Sequence, residues 1–288
     1  MIDAKIVVDS SADMAVGFPS VSSVPLKIIT DTNEYIDDAN VNVAAMVWDL
    51  LSYSGRSSTA CPSPQDWLDA FDDKPYVFCI AITSNLSGCC NAANIAKADY
   101  EQEFPDRKVC VIDTLSTAGE MMLIAEKVQE LIEEDLAFEA ICEKINEYRQ
   151  KTGLLFMLES LKNLANNGRV SKIVAKAAGI LGIRMVGKAS DVGTLEPLEK
   201  CRGEKKALAS LLTYLTTLGY EGGKIRISHC MNEAAAQTLK ESVLSMYPQA
   251  DIRIKPAGAL CSFYAEKGGL LMGSLSPLER NTGFWTQA

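Results

Sequence analysis

The sequence predicts an α/β fold: an N-terminal domain with a parallel sheet flanked by helices, followed by a second α+β domain. Two observations carry the first half. Short β-branched or apolar runs at Lys5–Val8, Tyr76–Ile82 and Lys108–Ile112 each end in a polar turn. A helix-period segment follows each turn, which is the alternation of βαβ units. The third observation is length: 288 residues suit two domains of ordinary size. The expected division is 1–155 and 156–288.

Met1 to Asp9 reads as a first strand, because it has neither the basic start nor the long apolar core of a secretory leader. Its turn carries Ser10 and Ser11. Ser57-Ser58-Thr59 precedes Cys61-Pro62-Ser63-Pro64, whose prolines predict an extended loop in place of a helix. The second strand turns through Thr83, Ser84 and Ser87, the third through Thr114, Ser116 and Thr117. Helices are expected at 118–135 and 137–151, where Met121, Ile124, Ala125, Val128 and Leu131 recur at three- and four-residue spacing as a core-facing stripe. Leu154 to Leu158 is a buried strand or a ligand-facing segment, and Asn166-Asn167-Gly168-Arg169 reads as a helix stop and turn. Beyond it come a helix at 204–218, a strand at 224–228, a helix at 233–246, a strand at 251–255 and a glycine-spaced stretch at 258–273. The chain shows no internal repeat.

Composition excludes several classes. Hydrophobic residues make up 48% and charged ones 23%, normal for a folded globular chain. A net charge of −9 disfavours nucleic acid and anionic lipid surfaces. No run approaches the 18 or so apolar residues of a membrane span, so any membrane contact is expected to be peripheral. Nine cysteines, several inside apolar runs, fit reduced thiols and a cytoplasmic location better than a disulfide framework.

The hydroxyl-rich turns carry the candidate chemistry. In an open α/β sheet the ligand crevice lies beyond the carboxyl ends of the strands, where helix N-termini present unpaired N–H groups. Hydroxyls gathered there either cap helices or cradle an anion. Gly182 to Lys188 nearly spells a phosphate loop, but Ala189 lacks the metal-binding hydroxyl and the interior reads as a strand. No GxGxxG occurs, so no nucleotide cofactor is expected. His229 is the only histidine and no CxxC pair exists, so metal chemistry is disfavoured. A thiol dyad of Cys89 with His229, serving an acyl hydrolase or transferase, is the enzyme alternative. Ten methionines among few aromatics suit a pliant apolar pocket. An acyl tail of about 14 methylenes contributes on the order of 11 kcal/mol gross when buried there.

An ordered series of motifs then resembles the DegV family, bacterial two-domain fatty-acid-binding proteins, over nearly the whole length. The series opens with Ile6-Val7-Val8-Asp9-Ser10-Ser11-Ala12-Asp13, Val24-Pro25-Leu26 and Tyr35-Ile36-Asp37-Asp38. Thr59-Ala60-Cys61-Pro62-Ser63-Pro64 is similar to the family's TSQPS loop, and Thr83-Ser84-Asn85-Leu86-Ser87-Gly88 to its SSxLSGT turn. Ile112-Asp113-Thr114, Asn167-Gly168-Arg169-Val170-Ser171 and Lys200-Cys201-Arg202-Gly203 complete it.

The resemblance implies a carrier that is not itself a catalyst and needs no cofactor. Its ligand is a long-chain fatty acid whose tail lies in a pocket between or beside the domains. It implies that Thr59 and Ser87 hold the carboxylate, with Ser58, Ser84 and Gly88 beside them. It also implies that Arg169 and Arg202 serve the head-group end or the contact with a fatty-acid kinase, the expected partner that makes the acyl-phosphate. The chain departs from the family at Cys61 in place of Gln and Cys89 in place of Thr. Near the C-terminus, Ser262 to Gly268 lacks the family's histidine, and Tyr264 is the substitute donor. A regulatory module for which lipid is incidental is the third reading.

Overall fold

Strands β1 (Ala4–Asp9) and β2 (Val21–Val24) begin the chain in a computed structural model that describes residues 2–14, 18, 20–171 and 182–275. A small antiparallel sheet follows: β3 (Lys27–Thr30), β4 (Glu34–Ile36) and, after helix α1 (Val43–Ser52), β5 (Ser57–Ala60), in the order β4-β3-β5. Helix α2 (Pro64–Phe71), β6 (Tyr76–Ala81), α3 (Cys89–Glu103), β7 (Lys108–Asp113), α4 (Ala118–Glu133) and α5 (Phe138–Gln150) complete the first half. Strands β2-β1-β6-β7 form the expected parallel sheet. Helices cover it, so Ile6, Val7 and Val8 are all buried and β1 reads as a continuous apolar run.

The second half comprises β8 (Thr152–Leu158), α6 (Lys162–Asn166), β9 (Ile183–Ala189), β10 (Leu195–Arg202), α7 (Glu204–Thr217) and β11 (Lys224–His229). Then come α8 (Glu233–Met246), β12 (Asp251–Pro256), α9 (Ala259–Ala265) and β13 (Leu270–Leu275). Its six strands run β10-β9-β8-β13-β11-β12, antiparallel except for β11 with β12. Residue 155 lies inside β8. Leu155 and Met157 face the core under α7 and α8, with Leu211, Leu239 and Ile227. Leu154, Phe156 and Leu158 point to the opposite face, as strand alternation requires.

Helix α4 lies between the two large sheets, against β1 and β6 on one side and β11 and β13 on the other. Its first turn touches backbone directly. A Cβ on Gly119 would stand 2.7 Å from the Gly273 nitrogen and closer still to the Arg226 carbonyl oxygen, so only glycine permits this approach. Further along α4, Glu126 holds Arg226 of β11 through two 2.7 Å bonds, and Asp251 takes a third at 2.8 Å. The Arg226 side chain is 1% exposed, a paired charge closed off from water.

Two expectations are corrected. After β1 comes a single 3-10 turn, Ser10–Ala12, with Asp13 left-handed at its end; the described residues up to β2 hold no α-helix. Asp9 draws the chain into that turn by accepting the Ser11 N–H. The proline-rich loop also leads directly into a helix, because Pro64 occupies the first helical position, where it loses no hydrogen bond. Ser63 and Asp66 cap each other's backbone in a capping box there.

Candidate functional site

The carboxyl edge of the parallel sheet faces the free side of β8, and a cavity lies between them. The space it encloses, the solvent at its mouth included, is about 810 Å³. Its wall is aliphatic: Leu154, Phe156 and Leu158 of β8, Leu271 of β13, Ala189 of β9, Leu260 and Ala265 of α9, and Leu26, Ile82, Leu86, Leu115, Leu164 and Leu195 around them. The β9–β10 turn roofs part of it, with Gly193 at φ +77° over Leu115 and Thr83. Asn85 fastens that turn through a 2.6 Å bond to the Val192 carbonyl.

One side of this wall is polar. Thr59 of β5, Ser87 before α3, Arg169 after α6 and Tyr264 of α9 all line the cavity. The Thr59 and Tyr264 hydroxyls lie 2.8 Å apart. Arg169 donates its Nε–H to the Leu86 carbonyl at 3.1 Å, and its guanidinium sits 6.0 Å from the Tyr264 ring centre. Ser87 Oγ lies 3.2 Å from Cys89 Sγ. Burial pushes the Tyr264 phenol above its ordinary range, so it stays a neutral donor at physiological pH. Hydroxyls, a phenol and one guanidinium facing an aliphatic chamber suit an amphiphile with an anionic head.

Tyr264 is held there by two buried acids. The Asp37 carboxylate accepts the Ala259 and Leu260 N–H groups at 2.6 and 3.1 Å, and Asp13 accepts the Gly258 N–H at 2.8 Å. These bonds satisfy the first donors of α9, whose N-cap Gly258 has no side chain to cap them. The Asp37 of the Tyr35-Ile36-Asp37-Asp38 motif thus fixes the helix that carries Tyr264.

Of the other anticipated hydroxyls, Thr83, Ser116 and Thr117 also line the cavity, and the rest lie outside its wall. Ser58 is the β5 neighbour of Thr59 and points to the opposite face by strand alternation. Ser84 is exposed and gives its N–H to Asp113, while Gly88 stands at the α3 N-cap with Cys61 Sγ packed on it. Ser10 accepts the Leu26 N–H, Ser11 donates to the Asp9 carboxylate, and Thr114 donates to the Ala81 carbonyl. These serve the backbone of the sheet edge. Arg202 is exposed at the end of β10, outside the cavity wall.

The thiol dyad finds no geometric support. Cys89 is buried, and desolvation, then the nearby Asp9, push its thiol far above the usual range, the reverse of what a nucleophile requires. His229 accepts the Asn232 N–H through Nδ1, on a different sheet, and burial lowers its pKa. Among the described residues no group of three or more His, Cys, Asp or Glu is placed to hold a metal, and no helix is long and apolar enough to cross a membrane.

Known proteins share this architecture. The family model described as "Uncharacterised protein, DegV family" matches residues 3–273. A DegV domain-containing protein of Streptococcus pneumoniae is 44% identical over 274 residues, 93% of this chain and 98% of its own. Among solved structures, a DegV family protein from Eubacterium eligens loaded with heptadecanoic acid superposes with a TM-score of 0.92 at 44% identity, covering 95% of this chain and 99% of that one. The Streptococcus pneumoniae Fatty Acid Kinase (Fak) B3 protein loaded with linoleic acid gives 0.93 at 43% identity, over 96% and 100%. A Thermotoga maritima protein described as revealing fatty acid binding function gives 0.84 at 26% identity, over 96% and 100%. The chain belongs to the DegV family.

Proposed function

We propose that this protein is a fatty-acid carrier that presents its ligand to a fatty-acid kinase and performs no chemistry of its own. The observation that carries the reading is the aliphatic cavity between β8 and the sheet edge, with Thr59, Ser87, Tyr264 and Arg169 on one side of it. The tail of a long-chain acid lies among the leucines, where each buried methylene contributes about 0.8 kcal/mol. Its carboxylate accepts from the Thr59, Ser87 and Tyr264 hydroxyls, and Arg169 supplies positive charge behind them. Neutral donors satisfy carboxylate lone pairs without the cost of stripping water from a second ion. Arg202, exposed on β10, is free to meet the kinase. The solved relatives loaded with heptadecanoic and linoleic acid, one of them named as a fatty acid kinase B3 protein, support the same assignment.

The test is mass spectrometry of lipid extracted from protein purified without detergent, followed by titration of the delipidated protein with long-chain acids. About one acyl chain per protein is expected. Protein that carries none and binds none on titration refutes the proposal.

A further inference from the structure

We propose that Ser116, on the loop between β7 and α4, is a fourth hydroxyl of the carboxylate site beside Thr59, Ser87 and Tyr264. The proposal rests on the fatty-acid reading above. Ser116 lines the cavity, is only 2% exposed, and its Oγ finds no hydrogen-bond partner among the described residues. Five other buried side chains have such an atom, on Asp13, Ser23, Trp67, Arg184 and Ser228, and none of them lines the cavity. A buried hydroxyl left unpaired is costly, so its retention at a binding wall points to a ligand atom that completes it.

The other hydroxyls of the wall each have a hydrogen-bond partner among the described residues. Thr59 pairs with Tyr264, Thr83 accepts the Asn85 N–H at 3.3 Å, Thr117 donates to the Ser11 carbonyl at 3.2 Å, and Thr194 pairs with Ser190 at 2.8 Å. Ser116 is also tied through the backbone to the turn that carries Ser87. Its carbonyl accepts the Thr83 N–H at 3.0 Å, and the Thr83 carbonyl accepts the Ser87 N–H at 3.2 Å. Ser116 and Ser87 therefore flank Thr83, one hydrogen bond to either side, on the turn that Arg169 grips at Leu86. A carboxylate offers about four lone-pair sites. Thr59, Ser87 and Tyr264 leave room for one further donor, which the Ser116 hydroxyl can fill by rotating about its Cα–Cβ bond.

The experiment compares calorimetric affinities of delipidated full-length protein for a long-chain fatty acid and for its methyl ester, which keeps the tail and removes the charge. In Ser116→Ala, affinity for the acid is expected to fall about tenfold, as for loss of a hydrogen bond to a charged group, while affinity for the ester holds. The acid-to-ester ratio falls by the same factor. Ser116→Cys, close in volume and a weak donor, gives the same reading if the alanine variant does not fold. An equal loss for acid and ester assigns Ser116 to packing and overturns the proposal, as does no loss for either. Parent protein that binds neither compound marks a different failure, that of the fatty-acid reading itself.

Discussion

The hydroxyl of Thr59 lies 2.8 Å from that of Tyr264, a residue 205 positions further along the chain. The bond joins the small antiparallel sheet to α9 at the polar side of the cavity wall. In Tyr264→Phe the ring stays near Arg169 and only the hydroxyl is lost. Calorimetry is expected to show fatty-acid affinity reduced about tenfold or more, the worth of one hydrogen bond to a charged group, with the thermal midpoint little moved. Unchanged affinity would show that the pair only braces the fold.

The reach of the cavity is testable by a substitution in its wall. Ala189→Phe places a ring where β9 borders the cavity. Long-chain acids are expected to lose affinity, by about 0.8 kcal/mol for each methylene displaced, while acids several carbons shorter keep theirs. A chain-length series read by competition binding checks this; a uniform loss at all lengths would mean that the tail does not run past Ala189.

Stability depends on pH through buried acids. Desolvation raises Asp9 and Asp37 to about 6, and it raises Asp13 as well. A carboxyl with a folded pKa above its unfolded value near 3.8 stabilises the fold in its protonated form, and that contribution is lost as pH rises through about 6. His229, lowered by burial, acts in the opposite sense as pH falls below its ordinary value of 6.5. The three carboxyls set the net direction, so the urea midpoint is expected to be higher at pH 5 than at pH 7. In Asp37→Asn, which no longer titrates, the gain is smaller.

Arg226 is paired with Glu126 and Asp251 and has almost no exposure. Glu126→Gln leaves Arg226 with Asp251 alone to balance it, so it is expected to cost about 2–3 kcal/mol in denaturant unfolding, less than a fully stranded charge. Replacing both residues, as Glu126→Leu with Arg226→Met, is expected to recover most of that loss. A double variant no more stable than Glu126→Gln would mean that the ion pair itself stabilises α4 between the sheets.

Much of this molecule was legible in the sequence because its long elements carry strong periodicity. The stripe from Met121 to Leu131 and the run Leu154 to Leu158 are both where the spacing put them. The small sheet was not legible: β3, β4 and β5 have three or four residues each, too short to show alternation. Thr59 and Ser87 stood out through their motifs, and the structure brings both to the cavity. Ser58 and Ser84 looked equivalent in sequence, yet strand alternation and exposure separate them from it. Asp37 was visible as part of a motif, but its role in capping α9 is a contact over 222 positions that no local pattern encodes. Ser116 was one hydroxyl among several, set apart only by its missing partner.

The central claim is tested most directly by a crystal structure of the protein with a long-chain fatty acid brominated at its terminal carbon, the bromine located by anomalous scattering. The expected map places the carboxylate within hydrogen-bond reach of Thr59, Ser87 and Tyr264, and the bromine against aliphatic side chains of the cavity wall. A carboxylate elsewhere, or a bromine beside Thr59, would contradict the account.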